Sequence, residues 1–264
     1  MKHKQPALFF DIDGTLVSFK THAIPPSTIE ALTKAKANGS RIYISTGRPL
    51  NIITNLGAIE HLIDGYITVN GAYSVVQNKI ISCHPIAPTD VAWLITDARD
   101  KDYSCIISAE HDMVVFNPKP IVKQVFIDQL AVTRLNFKTP PEDVLKTQRI
   151  LQLSPFFSAE YEKNVMSQLT HCVSGRWNPA FTDITTEEAD KGKGLIALAH
   201  HENIDINNTI AFGDGGNDLS IIRQAGIGIA MGNAVSALKQ SADYITTSVD
   251  EDGISNALKH FNII

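Results

Sequence analysis

Two aspartates, Asp11 and Asp13, follow directly on the short apolar run Ala7–Phe10, with Gly14 and Thr15 next. An acid immediately after a buried strand lies at the carboxyl edge of a sheet, where open α/β folds build their sites. Extended backbone alternates its side chains, so both carboxylates point to one side, roughly 7 Å apart at ~3.3 Å per residue. Gly14 permits the sharp turn that follows. Three readings fit this stretch. It can be a strand ending in a plain Asp-Gly turn. It can begin a calcium loop, but that loop needs a bidentate Glu at its twelfth position, where counting from Asp11 finds His22; this reading is set aside. Or the carboxylates hold a divalent cation while one of them acts as nucleophile. That third reading requires more acids, and a positive charge for phosphate, elsewhere in the chain.

Both occur, at the ends of other apolar runs. Arg41–Ser45 reads as a second buried strand and closes in Thr46-Gly47-Arg48-Pro49. A small hydroxyl, a Gly and a helix opened by Pro49 would make an anion-binding corner, although a plain strand-to-helix turn has the same residues. Lys191 opens a predicted helix, Asp190–His201, and the strand Thr209–Phe212 runs into Gly213-Asp214-Gly215-Gly216-Asn217-Asp218. Clustered carboxylates repel one another, at about 4 kcal/mol per pair ~4 Å apart for an effective dielectric near 20. A Mg²⁺ ion with Lys191 would offset that repulsion and leave a site for a phosphate dianion.

The elements that must position these groups alternate in type. After the first strand, Pro25-Pro26-Ser27-Thr28-Ile29-Glu30 has capping-box spacing at Ser27 and Glu30, and a helix ends at Asn38-Gly39. A third strand, Tyr66–Val69, and a hairpin, Tyr73–Ile81 with Gln77-Asn78 at its tip, follow. From about His84 the texture changes to an α-β-β-α-β-α-β-β run, broken at Pro140-Pro141 and lacking acidic strand ends, as far as about Glu187. The last third returns to the earlier alternation, with a helix after Asp218, strands Gly226–Ala230 and Asp243–Thr246, and a C-terminal helix. The expectation is an α/β fold. Residues 1–83 and 188–264 form a Rossmann-like parallel-sheet core, and residues 84–187 form an inserted α/β cap.

Bulk composition excludes several classes. The 264 residues are 44% hydrophobic and 19% charged, with net charge −5, an ordinary globular balance. A mildly acidic chain argues against nucleic acid as partner and offers no basic face to a membrane. Three well-separated cysteines with no C-x-x-C indicate neither a disulfide framework nor a zinc site. No leader-like or membrane-spanning apolar run is present, so the expectation is a cytoplasmic protein, monomeric or a small homo-oligomer. His3, His200, His201 and His260 read as solvated surface, and Gly226-x-Gly228 as packing.

The order Asp11-Ile12-Asp13-Gly14-Thr15, Ser45-Thr46-Gly47-Arg48, Lys191-Gly192, Gly213-Asp214-Gly215-Gly216-Asn217-Asp218 resembles the four motifs of the haloacid dehalogenase (HAD) superfamily of phosphatases. The tail Ala230-Met231-Gly232-Asn233-Ala234, Ala242-Asp243-Tyr244 and Glu251-Asp252-Gly253 is similar to the Cof-type branch (subclass IIB, C2 cap), and within it to Bacteroides-type hexose-phosphate phosphatases. One departure is Val249, where relatives often carry Asn. The resemblance implies that Asp11 attacks phosphorus and that Asp13 protonates the leaving alcohol, then takes a proton from water. It implies Mg²⁺ on the Asp11 carboxylate, the Asp13 carbonyl and the Asp214 carboxylate. It implies phosphate contacts from Thr46, Gly47, Lys191 and Asn217, with Arg48 among the phosphate or substrate ligands. Asp218 would orient Lys191 or a water on the ion. The substrate would be a small phosphorylated metabolite, a hexose or pentose phosphate, under a mobile cap. In that cap Trp177 could stack on a sugar ring and Arg176 or Asp183 could bond its hydroxyls; simple packing explains these residues equally well. Pyridoxal phosphate as substrate, a sugar phosphotransferase or mutase, and a non-catalytic phosphate sensor are the alternatives.

Overall fold

The computed structural model describes residues 5–130, 132 and 134–264. Its elements in chain order are β1 (Ala7–Phe10), α1 (Pro26–Ala37), β2 (Arg41–Ser45), β3 (Gly65–Thr68), β4 (Tyr73–Val76), β5 (Lys79–Cys83), α2 (Pro88–Asp100), β6 (Cys105–Ala109), β7 (Met113–Phe116), α3 (Pro120–Val122), α4 (Pro141–Thr147), β8 (Ile150–Pro155), α5 (Ala159–Met166), β9 (Cys172–Asn178), β10 (Phe181–Thr186), α6 (Lys191–His201), β11 (Thr209–Gly213), α7 (Leu219–Gln224), β12 (Ile227–Ala230), α8 (Ser236–Ser241), β13 (Tyr244–Ile245) and α9 (Gly253–His260). A π-helical stretch, Lys123–Gln129, continues α3. These divide into two compact units: one of residues up to Arg48 with Ile53–Cys83 and Asp190–Ile264, the other of Pro49–Ile52 and His84–Ala189.

The first unit is built on an eight-stranded sheet in the order β13-β12-β11-β1-β2-β3-β4-β5. It is parallel from β13 to β3, and β4 and β5 turn back antiparallel. Every residue of β1 is buried because both sheet faces are covered. Leu8 and Phe10 join one apolar cluster with Leu32 of α1 and Leu258 of α9, while Ala7 and Phe9 join another with Leu195 of α6 and Ile222 of α7. Phe9 stacks on Tyr43 and Phe10 on Phe212, locking β1 to both neighbours. Chain order runs outward from β1 in both directions, so β1 stands at the switch point where α/β sheets open a crevice at the strands' carboxyl ends. At the β4–β5 turn Gln77 and Asn78 both have positive φ, 48° and 63°, as a two-residue hairpin needs.

The second unit is a five-stranded antiparallel sheet, β7-β6-β8-β10-β9. One face packs on α2, α4 and α5 through Leu94, Val144 and Val165; the other packs on the α3 and π-helical stretch through Val122 and Phe126. The α/β class, with a parallel-rich sheet interrupted by an α/β insertion, agrees with the expectation from sequence.

Three local readings are corrected. Ser27 does not cap α1: the helix begins at Pro26, with Pro25 before it and no side-chain cap, and the Ser27 hydroxyl is buried without a partner. Pro26 presets the first helical φ and moves the start upstream of the serine. No α-helix follows Pro49; Leu50–Ile52 is one 3₁₀ turn. Its Asn and β-branched Ile and Thr neighbours are poor helix formers. Pro140-Pro141 is not simply a break, because Pro141 opens α4. Of the surface histidines, His200 and His260 are exposed, His201 is half-buried, and His3 lies outside the described residues. Gly226 and Gly228 do pack: a side chain on Gly228 would run into the carbonyl of Ile222 in α7. Among the described residues no helix is long and apolar enough to cross a membrane.

Candidate active site

Asp11 is the first residue beyond β1, and its amide still donates to Phe212 O of β11 at 3.1 Å. Its carboxylate is therefore held by the sheet. The next residues fold into a tight turn: Gly14, at φ +82°, donates to Val17 O, and Leu16 and Val17 donate to Ile12 O. Gly is required at position 14 both for that φ and because a Cβ would overlap the Asp214 carboxylate. The turn brings the Thr15 hydroxyl to Asp214 Oδ1 at 3.2 Å, across 199 residues of sequence.

Lys191 lies at the centre. It is the first residue of α6, whose N-cap Asp190 accepts from the Lys193 amide, and its side chain is fully buried. Nζ donates to Asp11 Oδ1 at 2.7 Å and to Asp218 Oδ1 at 2.6 Å. The other Asp218 oxygen accepts from the amides of Asp214 and Gly215, both at 3.0 Å. Asp218 thus fixes the lysine and the turn that presents Asp214. Asp11, Asp214 and Asp218 each offer an oxygen within 4.8 Å of the others'.

The electrostatics of this cluster are one cation short. Burial pushes the Asp11 carboxyl upward, the Asp218 and Asp214 charges add to that, and the Lys191 ammonium opposes it. Asp214 is raised to about 6, first by burial and then by Asp218, against the Thr15 hydrogen bond and Lys191. Lys191 is raised because its two carboxylates outweigh its desolvation. Hard oxygen donors that compete for one ammonium suit Mg²⁺. Asp218 has one oxygen taken by the Lys191 ammonium at 2.6 Å and the other by two backbone amides at 3.0 Å, whereas Asp214 is held only by side-chain contacts at 3.2 and 3.3 Å, so Asp11 and Asp214 are the carboxylates that would take the ion.

This imbalance predicts a pH effect. A carboxyl at about 6 rather than 3.8 keeps a proton in the folded protein that the unfolded chain has already lost. Asp214 therefore stabilises the metal-free fold at low pH, and that contribution is lost as pH rises through this window. In chelator, the unfolding midpoint of the wild type minus that of Asp214→Asn should fall between about pH 4 and about pH 7. Excess Mg²⁺ should flatten the fall; a rising difference would contradict the assignment.

The remaining residues predicted from sequence fall into two groups. Thr46, Gly47 and Asn217 lie in the same unit as Asp11 and Lys191 and meet at Asn70. Asn70 has φ +52°, donates its amide to Thr46 O, accepts from Asn217 Nδ2 at 3.0 Å, and crowds Gly47 so closely that a Cβ there would meet its amide at 3.1 Å. The Thr46 hydroxyl accepts from the Arg48 amide at 3.1 Å, which leaves its own hydrogen to donate. Asp13 and Arg48 are paired: Nε to Oδ2 at 2.8 Å and Nη2 to Oδ1 at 2.7 Å. Arg176 belongs to the other unit. Its three guanidinium nitrogens bond to Glu162 Oε2, Pro179 O and Phe157 O, which gives it a structural role there. Asp183 is likewise engaged, by Gln152, Ser154 and the indole N–H of an exposed Trp177.

Three contributors were not singled out from sequence. Thr15 was visible only as part of the first motif, and Asn70 only as a turn residue. Asn233 donates to Gly14 O at 2.8 Å and to Asp214 Oδ2 at 3.3 Å, and accepts from the Val249 amide at 2.9 Å. That last bond uses Val249's backbone, so the departure from Asn at position 249 does not remove it.

The sheet order and this carboxylate–lysine cluster define an α/β protein with an acidic site at the strands' carboxyl ends, and the chain belongs to the haloacid dehalogenase-like hydrolases, whose sequence model matches residues 8–258. Over 98% of this chain and 100% of the other, it is 46% identical to the HAD subclass IIB sugar phosphatase BT4131, with a TM-score of 0.86. BT1666 of Bacteroides thetaiotaomicron, a phosphatase of the same superfamily, is 32% identical over 100% of this chain and 97% of that one, with a TM-score of 0.85. YkrA of Bacillus subtilis (strain 168), a protein assigned to the phosphatases, is 30% identical over 97% of this chain and 98% of its own length. The chain is accordingly an enzyme of the phosphatase class.

Proposed function

We propose that the chain is a cytoplasmic, Mg²⁺-dependent phosphomonoesterase of small sugar phosphates, hexose or pentose. The observation that carries this reading is Lys191, buried and bridging Asp11 and Asp218 with Asp214 beside them. That arrangement holds one carboxylate ready and keeps positive charge where phosphoryl oxygens would gather. The sugar class rests on the 46% identity to a sugar phosphatase across both whole chains.

In the proposed reaction an Asp11 oxygen attacks phosphorus. The bond to the leaving oxygen breaks, Asp13 gives that oxygen its proton, and an aspartyl-phosphate remains. Asp13 then takes a proton from water, the water oxygen attacks phosphorus, the bond to Asp11 breaks, and phosphate leaves. Lys191, the Thr46 hydroxyl, the Gly47 amide and Asn217 hold the transferring oxygens. Mg²⁺, held by Asp11 and Asp214, would neutralise phosphate charge and fix the line of attack. The inserted unit serves as the cap that selects the leaving group.

The test is phosphate release from a panel of sugar phosphates, nucleotides and pyridoxal phosphate, with Mg²⁺ and with chelator. Chelator should abolish release and added Mg²⁺ restore it, with sugar phosphates the best substrates. Activity indifferent to chelator would sink the metal assignment. Transfer of phosphate to an added acceptor sugar would mark a phosphotransferase instead.

A further inference from the structure

Arg48 sits one residue beyond the Thr46-Gly47 corner, and sequence reasoning groups it with the phosphate ligands. The geometry gives it different work. We propose that Arg48 is a positioning residue that orients the Asp13 carboxyl group so that, when it carries a proton, it hands that proton to the leaving oxygen. This rests on the reading of Asp13 as the acid.

The contact is a two-pronged one. Nε and Nη2 of Arg48 meet the two Asp13 oxygens at 2.8 and 2.7 Å, a bidentate pair that constrains the direction of the carboxyl group. An unpaired Asp at the start of a turn has three χ1 wells open to it. The fork selects one, and each oxygen keeps a lone pair outside the fork, where Asp13 can carry the proton that it gives to the leaving oxygen. The backbone of Arg48 is anchored on both sides. The Arg48 amide donates to the Thr46 hydroxyl at 3.1 Å, and its carbonyl accepts from the Val69 amide at 3.2 Å. Val69 is held at φ +50°, a strained conformation for a β-branched residue. Strain of this kind persists where the surroundings over-determine a functional geometry. Through Thr46, Arg48 ties the acid to the phosphate corner, so proton donor and anion cradle keep a set spacing. Two of its three nitrogens are committed to Asp13, which makes it a poor ligand for phosphate at the same time.

The two roles separate by leaving group. Expulsion of a sugar alkoxide requires a proton, whereas 4-nitrophenolate departs without one. Since kcat/KM reports the steps up to departure of the alcohol, glucose 6-phosphate and 4-nitrophenyl phosphate would be compared for wild type, Arg48→Met, Arg48→Lys and Asp13→Asn. In Arg48→Met, kcat/KM for glucose 6-phosphate should fall about 10²-fold while that for 4-nitrophenyl phosphate changes by less than about threefold. Arg48→Lys should recover part of the loss. The aryl substrate also reports that each variant keeps a folded site. Equal losses on both substrates, carried by KM, would make Arg48 a phosphate ligand and overturn the proposal. Selective loss in Asp13→Asn with none in Arg48→Met would overturn it while sparing the acid assignment. An unchanged substrate ratio in Asp13→Asn would overturn both.

Discussion

Asp11→Asn is expected to lower turnover by about 10⁴-fold or more, as loss of a nucleophile does, while leaving the protein folded. The amide is nearly isosteric and still accepts from Lys191 through its oxygen. It also removes one of three negative charges that share a single buried ammonium, so the metal-free variant should melt no lower than the wild type. Phosphate release and thermal unfolding measured on the same preparation check this. Near-wild-type turnover would rule out Asp11 as the attacking group.

Lys191→Met should cost both activity and stability. The side chain is fully buried, and its removal strands Asp11 and Asp218 without their shared cation. Breaking a buried ion pair by deleting one partner costs about 3–5 kcal/mol. For a chain of this size that is a fall in melting temperature on the order of 10 °C. Adding Asp11→Asn to Lys191→Met should return part of the lost stability and none of the activity, because the two residues touch and their effects couple. If Lys191→Met melts like the wild type, the ion triad is not the stabilising centre described above.

The parts of this site that sequence revealed are those where one residue type has one use in context. A strand ending in acids, a lysine opening a helix and an acid-rich turn after another strand each signal a place on a sheet edge, and the sheet's parallel order brings them together. The boundaries of β2 agree with the hydrophobic pattern. What escaped was pairing. Arg48 can bind phosphate or a carboxylate, and only distance shows that Asp13 occupies it. Asn70 and Asn233 act through amide groups that any turn asparagine carries. Arg176 and Asp183 look available in a string of letters, yet Glu162 and Gln152 reach them from other elements. The short turn after Pro49 escaped for a different reason: a proline signals where a helix can start, not whether the residues after it sustain one.

The long detour between the two halves of the parallel sheet has a consequence for biosynthesis. β1 pairs with β2 soon after both are made, but its other edge matches Thr209–Gly213, which emerges roughly 200 residues later. At about 5–20 residues per second the ribosome needs some 10–40 s to close that gap. Throughout that interval the apolar ribbon Ala7–Phe10 presents an open flank to the cell, while the inserted unit can already be complete. Nascent chains stalled before Thr209 should therefore bind holding chaperones tightly, and those that have passed Gly213 should let go.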